Sequence, residues 1–275
     1  MTTLQEFKRF YQDNPLYFED AEKGIISGEI SLSHRHIHAY VRTLRGKIIC
    51  DFGCGTGRDI EQMYNSDNRY VGLDVSVGAL KSAEKHFLPA NVSYTQIDFE
   101  KLVPLPDASF DVITSFYVFE HVLRPTQTLD EMSRLLTRGG ELFIITPNYG
   151  SPLKSAPPLG TPSKIKLIRK TIKVFKTMVR RTLLPHSGLD DTMIPLNKLD
   201  LSSTWGSDMD ATNEPWSWEI ASYLVSHGFR VSVTSWEAFD KKDLKTGPER
   251  MLWPLRKLPF IRHLGELCVV HATKI

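Results

Sequence analysis

The sequence predicts an α/β protein built on a parallel sheet wound with helices on both faces. Short apolar runs alternate with amphipathic segments from residue 47 to 149, the first run leads straight into three alternating glycines, and a proline-rich stretch then breaks the pattern. The 275 residues, with 34 Lys plus Arg against 32 Asp plus Glu, suit one large domain with an elaborated cap. A net charge of +2 creates no global field for nucleic acid, which is not expected as a partner.

Residues 1–46 read as a helical cap. Strands are predicted at Lys47 to Phe52, Tyr70 to Asp74, Val92 to Ile97, Phe110 to Ser115 and Glu141 to Thr146, apolar runs short enough for buried strands. Between them helices are predicted over 58–65, 77–86, 119–122 and 125–137, the last stopped by Gly139-Gly140. Residues 147–162 hold five prolines together with Gly150 and Gly160, so they form a loop leaving the sheet. Asn213-Glu-Pro215 opens a further helix that Gly228 closes, and Arg230 to Ser235 and Leu267 to His271 supply two more strands. The chain thereby divides into a cap (1–46), a ligand-binding core (47–149), an insertion (150–212) and a C-terminal part of the same domain (213–275).

The first strand runs into Asp51-Phe52-Gly53-Cys54-Gly55-Thr56-Gly57, at the strand end where open α/β sheets bind ligands. Glycine there lets backbone approach a ligand, and the following helix offers free N–H donors. A dinucleotide fingerprint needs a small residue three positions after the second glycine, where this chain has Arg58, and Gly57-Arg58-Asp59 lacks the Lys-Ser/Thr of a phosphate-binding loop. The second strand ends in Asp74, suited to a ribose diol because a carboxylate accepts several hydrogen bonds, and the third runs into Asp98-Phe99, able to read an adenine edge. Acids at three successive strand ends, Asp51, Asp74 and Asp98, point to one site.

These residues resemble the class I S-adenosylmethionine-dependent methyltransferases over about residues 45–150. Leu105-Pro-Asp-Ala-Ser-Phe-Asp-Val-Ile113 and Glu120-His121-Val122 are further points of likeness, and they look like the small-molecule branch that includes quinone-biosynthesis enzymes. The resemblance implies a Rossmann-like seven-stranded methyltransferase sheet whose last strand is antiparallel. It also implies S-adenosylmethionine as cofactor and S-adenosylhomocysteine as product. By the same resemblance Asp51, Gly53, Cys54 and Gly55 surround the methionine end, Asp74 and Val75 the ribose, Asp98 and Phe99 the adenine, and Ser115 the end of strand four.

The acceptor must be read from the residues after strand four, Ser115-Phe116-Tyr117-Val118-Phe119-Glu120-His121. They lack the Asn/Asp-Pro-Pro-aromatic tetrad of DNA amino-methyltransferases and the Pro-Cys nucleophile of pyrimidine C5 enzymes. A metal-dependent catechol-type site would place Asp where Ser115 stands, and no metal is expected. A hydroxyl acceptor needs a base titrating near neutrality, and His121 is the candidate, with a helix-start role as the alternative. The favoured reaction is O-methylation of a small-molecule hydroxyl on a glycan, lipid-linked intermediate or secondary metabolite. C-methylation of a quinone-like ring and a non-catalytic, cofactor-binding or membrane-surface protein stand as alternatives. Tyr11 and Tyr17 of the cap and Trp205 of the insertion are candidates for the acceptor pocket; Trp205, Trp216 and Trp218, among polar neighbours, suit a sugar or aromatic acceptor, with packing into the cap as the other reading.

His34, His36 and His38 suggest a metal only if extended. On the helix that Ala39-Tyr40-Val41-Arg42 continues, just His34 and His38 share a face, which is expected to be an exposed polar one. Residues 163–181 carry eight Lys or Arg and no acid, with Ile165, Ile168, Ile172, Phe175 and Val179 on one helical stripe. That stripe either packs on the core or makes peripheral contact with an anionic membrane. Cys50, Cys54 and Cys268 have no metal-pair spacing and read as buried reduced thiols. No signal-like or membrane-spanning apolar run is present, so the expected location is cytoplasmic, with membrane-peripheral contact as an option.

Overall fold

The computed structural model describes residues 2–14, 18, 30–98, 101–151, 154–160, 165, 168–172, 175–176, 189–202, 208–235, 254, 258 and 261–275. Seven strands form one sheet: β1 (Ile48–Phe52), β2 (Arg69–Asp74), β3 (Val92–Gln96), β4 (Phe110–Phe116), β5 (Leu136–Pro147), β6 (Phe229–Thr234) and β7 (Leu267–Lys274). Their order is β3-β2-β1-β4-β5-β7-β6; the first five are parallel, and β7 runs antiparallel to both β5 and β6. The order reverses between β1 and β4, which opens a crevice at their carboxyl ends. Pairing of Asp51 with Gly72 and Thr114, and of Asp74 with Gln96, brings those ends level.

Six helices have residue-by-residue bounds among the described residues: α1 (Leu4–Asp13), α2 (Leu32–Thr43), α3 (Arg58–Met63), α4 (Val77–His86), α5 (Pro125–Leu135) and α6 (Ser217–Ser226). Four of the starts have a local cause. A capping box between Thr3 and Glu6 starts α1, Ser31 and Ser76 cap α2 and α4 through their hydroxyls, and Pro125 opens α5. The central core packs β-strand residues such as Cys50, Leu73, Ile113 and Ile144 against Leu129, Met132 and Leu224 of the helices. A separate cluster joins Phe7, Phe10 and Tyr11 of α1 to Tyr149, Ile194, Leu199 and Ala211, so the cap and the insertion share one core.

The helix expected over 119–122 is a 3-10 turn, Phe119–His121, and the largest boundary difference from the sequence expectation falls at β5. The helix predicted over 125–137 ends at Leu135, and β5 begins at Leu136, which pairs with Phe110. The glycines at 139 and 140 therefore lie inside a strand rather than stopping a helix. Long-range pairing to β4 outweighs the local stop signal.

Candidate active site

A cavity of about 500 Å³ opens over the carboxyl ends of β1, β2 and β4. Gly53, Cys54 and Gly55 form its floor with Asp74 and Val75 beside them. The Gly53 and Cys54 N–H groups both donate to the Leu73 carbonyl, at 2.7 and 3.0 Å, which ties the loop to β2. Gly53 is in the left-handed region at φ +81°, and a Cβ there would lie 2.3 Å from Val118 Cγ2. Asp74 accepts from Gly55 N and from Ser76 N, each at 2.8 Å. Each of its oxygens keeps a further acceptor position for a ligand hydroxyl. Burial raises the Asp74 carboxyl above its ordinary value despite those donors.

Asp98 stands at the far wall, exposed, 3.3 Å from Lys101 Nζ and 3.8 Å from Lys8 Nζ. Phe99, Tyr17, Trp205 and Val179 lie outside the described residues. Two expected residues are not on the cavity wall. Ser115 is fully buried within β4 opposite Ile144, and Asp51 sits behind the loop with Oδ1 accepting from Thr114 Oγ1 at 2.8 Å and Oδ2 without a hydrogen-bond partner. The chain turns only after Phe116, at Tyr117 with φ +55°, so Phe116, Tyr117 and Val118 take the wall position expected of Ser115. The Cys54 thiol is buried and its pKa is raised well above normal by burial, which removes it as a nucleophile. Trp216 is buried against the Gly150 backbone, and Trp218 meets His263 edge-on, so neither faces the cavity.

Beyond Val118 a short 3-10 turn, Phe119–His121, is fixed from below. Asn213 Nδ2 donates to the carbonyls of Phe119 and Val122 at 2.9 and 3.2 Å, and Thr212 Oγ1 donates to Val122 O at 2.9 Å. This aims His121 into the cavity. Its Nδ1 lies 3.4 Å from Asp210 Oδ2, which also accepts a 2.6 Å hydrogen bond from the Tyr11 hydroxyl. Asp208 accepts from the Tyr149 hydroxyl, and Glu120 Oε2 accepts from Thr146 Oγ1 at 2.8 Å. The candidate Tyr11 therefore both lines the cavity and holds the acid behind His121. Sequence reading missed Asp208, Asp210 and Tyr149, which carry no local periodicity that ties them to His121.

Burial alone would push His121 down, but the carboxylates of Asp210, Glu120 and Asp208 outweigh it and hold its pKa above the ordinary value. Burial chiefly pushes Glu120 up to about 7. A base must be unprotonated to act, so activity that depends on His121 rises with pH through a midpoint above the usual 6.5. Asp210→Asn removes one of the charges that raise it. The acid limb of the kcat/KM profile is expected to move to lower pH in that variant, and an unmoved limb would contradict this assignment.

The polar-face reading of His34 and His38 is overturned: they are 1% and 6% exposed, drawn inward by the buried Asp59 carboxylate of α3. Residue 165, residues 168–172 and residues 175–176 of the basic segment are helical. The orientation is the reverse of a packed amphipathic helix. Ile165, Ile168, Ile172 and Phe175 are 50–65% exposed, whereas Lys170 turns inward, its Nζ donating to the Tyr149 carbonyl at 2.6 Å and pairing with Glu214 at 2.8 Å.

Asp59 and Asp74 border the cavity at the glycine loop and Asp51 is buried behind it, a setting that disfavours a phosphate there. A nucleoside whose ribose meets Asp74 and whose other end is positively charged fits this donor set, and the glycine floor leaves the room. The class so defined is that of S-adenosylmethionine-dependent α/β transferases. Residues 50–144 match the family model described as "Methyltransferase domain". The chain is similar to the "Ubiquinone biosynthesis O-methyltransferase" of Nitrosococcus oceani, 28% identical over 180 residues that cover 64% of this chain and 68% of that protein. It is 31% identical to the protein of the same name from Pseudomonas fluorescens over 139 residues, 50% of this chain and 60% of the relative. In structure it is similar to an S-adenosylmethionine-dependent methyltransferase from Mesorhizobium loti, with a TM-score of 0.53 at 18% identity over 88% of this chain and 98% of the other. One from Thermotoga maritima gives a TM-score of 0.53 at 18% identity over 99% and 100%. Residues 50–144 are a methyltransferase domain on a fold shared with S-adenosylmethionine-dependent methyltransferases, and S-adenosylmethionine is the methyl donor.

Proposed function

We propose that this enzyme methylates a hydroxyl oxygen on a small acceptor with an apolar body, lipid-linked and met at an anionic membrane surface. The observation that carries the oxygen assignment is His121, on the cavity wall with Nδ1 3.4 Å from Asp210 Oδ2 and Nε2 3.8 Å from Glu120 Oε1. The N. oceani and P. fluorescens relatives, named for O-methylation in ubiquinone biosynthesis, support the same choice of atom. Bound over the glycine loop, S-adenosylmethionine supplies a methyl group activated by its sulfonium and leaves as S-adenosylhomocysteine. His121 Nε2 takes the hydroxyl proton while Asp210 stabilises the imidazolium through Nδ1, and Tyr11 keeps Asp210 in place. Val118, Val122 and Leu123 give the acceptor side an apolar wall that excludes water. Alignment of the two reactants in one cavity supplies up to about 7–11 kcal/mol, so the base adds to a reaction already favoured by proximity. The test is release of S-adenosylhomocysteine by the full chain across a panel of phenolic, glycosyl and polyprenyl-linked hydroxyl compounds. Product methylated at oxygen is expected, and product methylated only at carbon would overturn the oxygen assignment.

The exposed Ile165, Ile168, Ile172 and Phe175, on a segment with eight cations and no acid, support the membrane part of the proposal. Among the described residues no helix is long and apolar enough to cross a membrane. Sedimentation of the full chain with phosphatidylglycerol-containing vesicles is expected to exceed that with pure phosphatidylcholine and to weaken with salt. Ile168→Asp with Ile172→Asp should reduce binding roughly tenfold or more, since each isoleucine contributes about 1.5–3 kcal/mol when fully buried. Equal binding by the double variant, or none by the wild type, would contradict this reading.

A further inference from the structure

We propose that His34, His38 and Asp59 form a site for one divalent transition-metal cation of the zinc class, clamping the N-terminal cap to the helix that follows the glycine loop. His34 and His38 are one turn apart on α2 and share a face, while Asp59 sits in the first turn of α3 directly after Gly57. Both Nε2 atoms lie 2.8 Å from the same Asp59 Oδ1, and the three donor atoms lie within 4.8 Å of one another.

Hydrogen bonding accounts for half of this arrangement. His38 Nε2 is aligned on the carboxylate, but His34 Nε2, at the same distance, is not, and neither ring nitrogen of His34 has a hydrogen-bond partner. An imidazole that is 99% buried with neither nitrogen in an aligned hydrogen bond is unfavourable by itself. Two atoms that ligate one ion tetrahedrally at about 2.0–2.2 Å stand about 3.3–3.6 Å apart with their lone pairs aimed at the ion rather than at each other. The His34 ring meets Asp59 at 2.8 Å without hydrogen-bond alignment, so a shift of about half an ångström admits an ion between them. Beneath the site the Phe116 ring packs on both imidazoles, with centroids 4.1 Å from His34 and 5.5 Å from His38, and shields one side from water. His34 and Asp59 also border the cofactor cavity, so a fourth position faces it. Two imidazoles and one carboxylate with an open position suit Zn²⁺ and its neighbours in the first transition row. The hard cations Mg²⁺ and Ca²⁺ want oxygen ligands instead. A cation here also offsets the negative charge that Asp59 places beside Asp51.

The full chain, stripped with chelator and dialysed, would be titrated with Co²⁺ followed by its visible d–d absorption and with Zn²⁺ by calorimetry. One equivalent per chain is expected, with a rise in Tm on zinc addition. His34→Gln and Asp59→Asn, the latter nearly isosteric, should each weaken binding by at least about 100-fold while the circular dichroism spectrum is kept. Should His34→Gln fail to fold, Asp59→Asn and the wild-type X-ray absorption spectrum, with two imidazoles around the metal, decide the matter. No saturable binding by the wild type would overturn the proposal. So would unchanged binding in Asp59→Asn, or binding lost only in His121→Ala, which would assign the ion to the separate Glu120, His121 and Asp208 group.

Discussion

His121→Gln is expected to lower kcat by about 10²–10⁴-fold while S-adenosylmethionine affinity stays within about twofold of wild type. The split follows from position. His121 faces the cavity from the turn after Val118 and its charged neighbours are Asp210 and Glu120, whereas Gly53, Gly55 and Asp74 make the floor assigned to the nucleoside. Glutamine keeps the side chain polar and of comparable length but cannot accept a proton at neutral pH. The acid limb in the pH profile set by His121 should vanish along with the rate. Single-turnover kinetics with saturating cofactor measure both quantities, and equal kcat in the variant would leave His121 as a structural residue of the 119–121 turn.

The second large effect is expected from Gly53→Ala. At φ +81° an alanine is strained by about 1–2 kcal/mol, and its Cβ would meet Val118 Cγ2 at 2.3 Å and Cγ1 at 2.8 Å. Val118 cannot yield freely, because it leads into the turn that Asn213 and Thr212 hold by its carbonyls. Overpacking of this kind adds about 1–3 kcal/mol, so one methyl disturbs both the cofactor floor and the catalytic turn. Loss of S-adenosylmethionine binding by at least about tenfold and a lowered Tm are expected together. Gly139→Ala is the control: it is also left-handed, at φ +74°, but nothing lies within 4 Å of an added Cβ. That variant should lose a little stability and no affinity. If both variants bind alike, the contact with Val118 is not what shapes the site.

The sheet and the places of the glycine loop and Asp74 on it were legible in the sequence for a physical reason. Buried parallel strands need short apolar runs, and Asp74 and the Gly53 to Gly57 loop occupy strand ends, so one-dimensional spacing carries their positions. What spacing does not carry is which partner a face meets. The His34 and His38 interval placed them on one side of α2, but Asp59, which turns that side inward, is 21 residues from His38 on another helix. The stripe from Ile165 to Phe175 was visible as helical period, while its outward orientation depends on Lys170 finding Glu214 and the Tyr149 carbonyl far along the chain. Asp210 reaches Tyr11 across 199 residues, and no local pattern marks that. The early start of β5 likewise follows from Leu136 pairing with Phe110 on β4.

One cavity over the glycine loop is expected to hold the methyl donor with Asp74 on its ribose. Calorimetric titration of the full chain with S-adenosylmethionine and S-adenosylhomocysteine, repeated with Asp74→Ala, tests it most directly. The account predicts one molecule bound per chain, competition between the two ligands, and an affinity at least about tenfold weaker in the variant, since hydrogen bonds to a charged group are worth about 1.5–3 kcal/mol. Absence of binding by the wild type to either ligand, or equal affinity in Asp74→Ala, would contradict it.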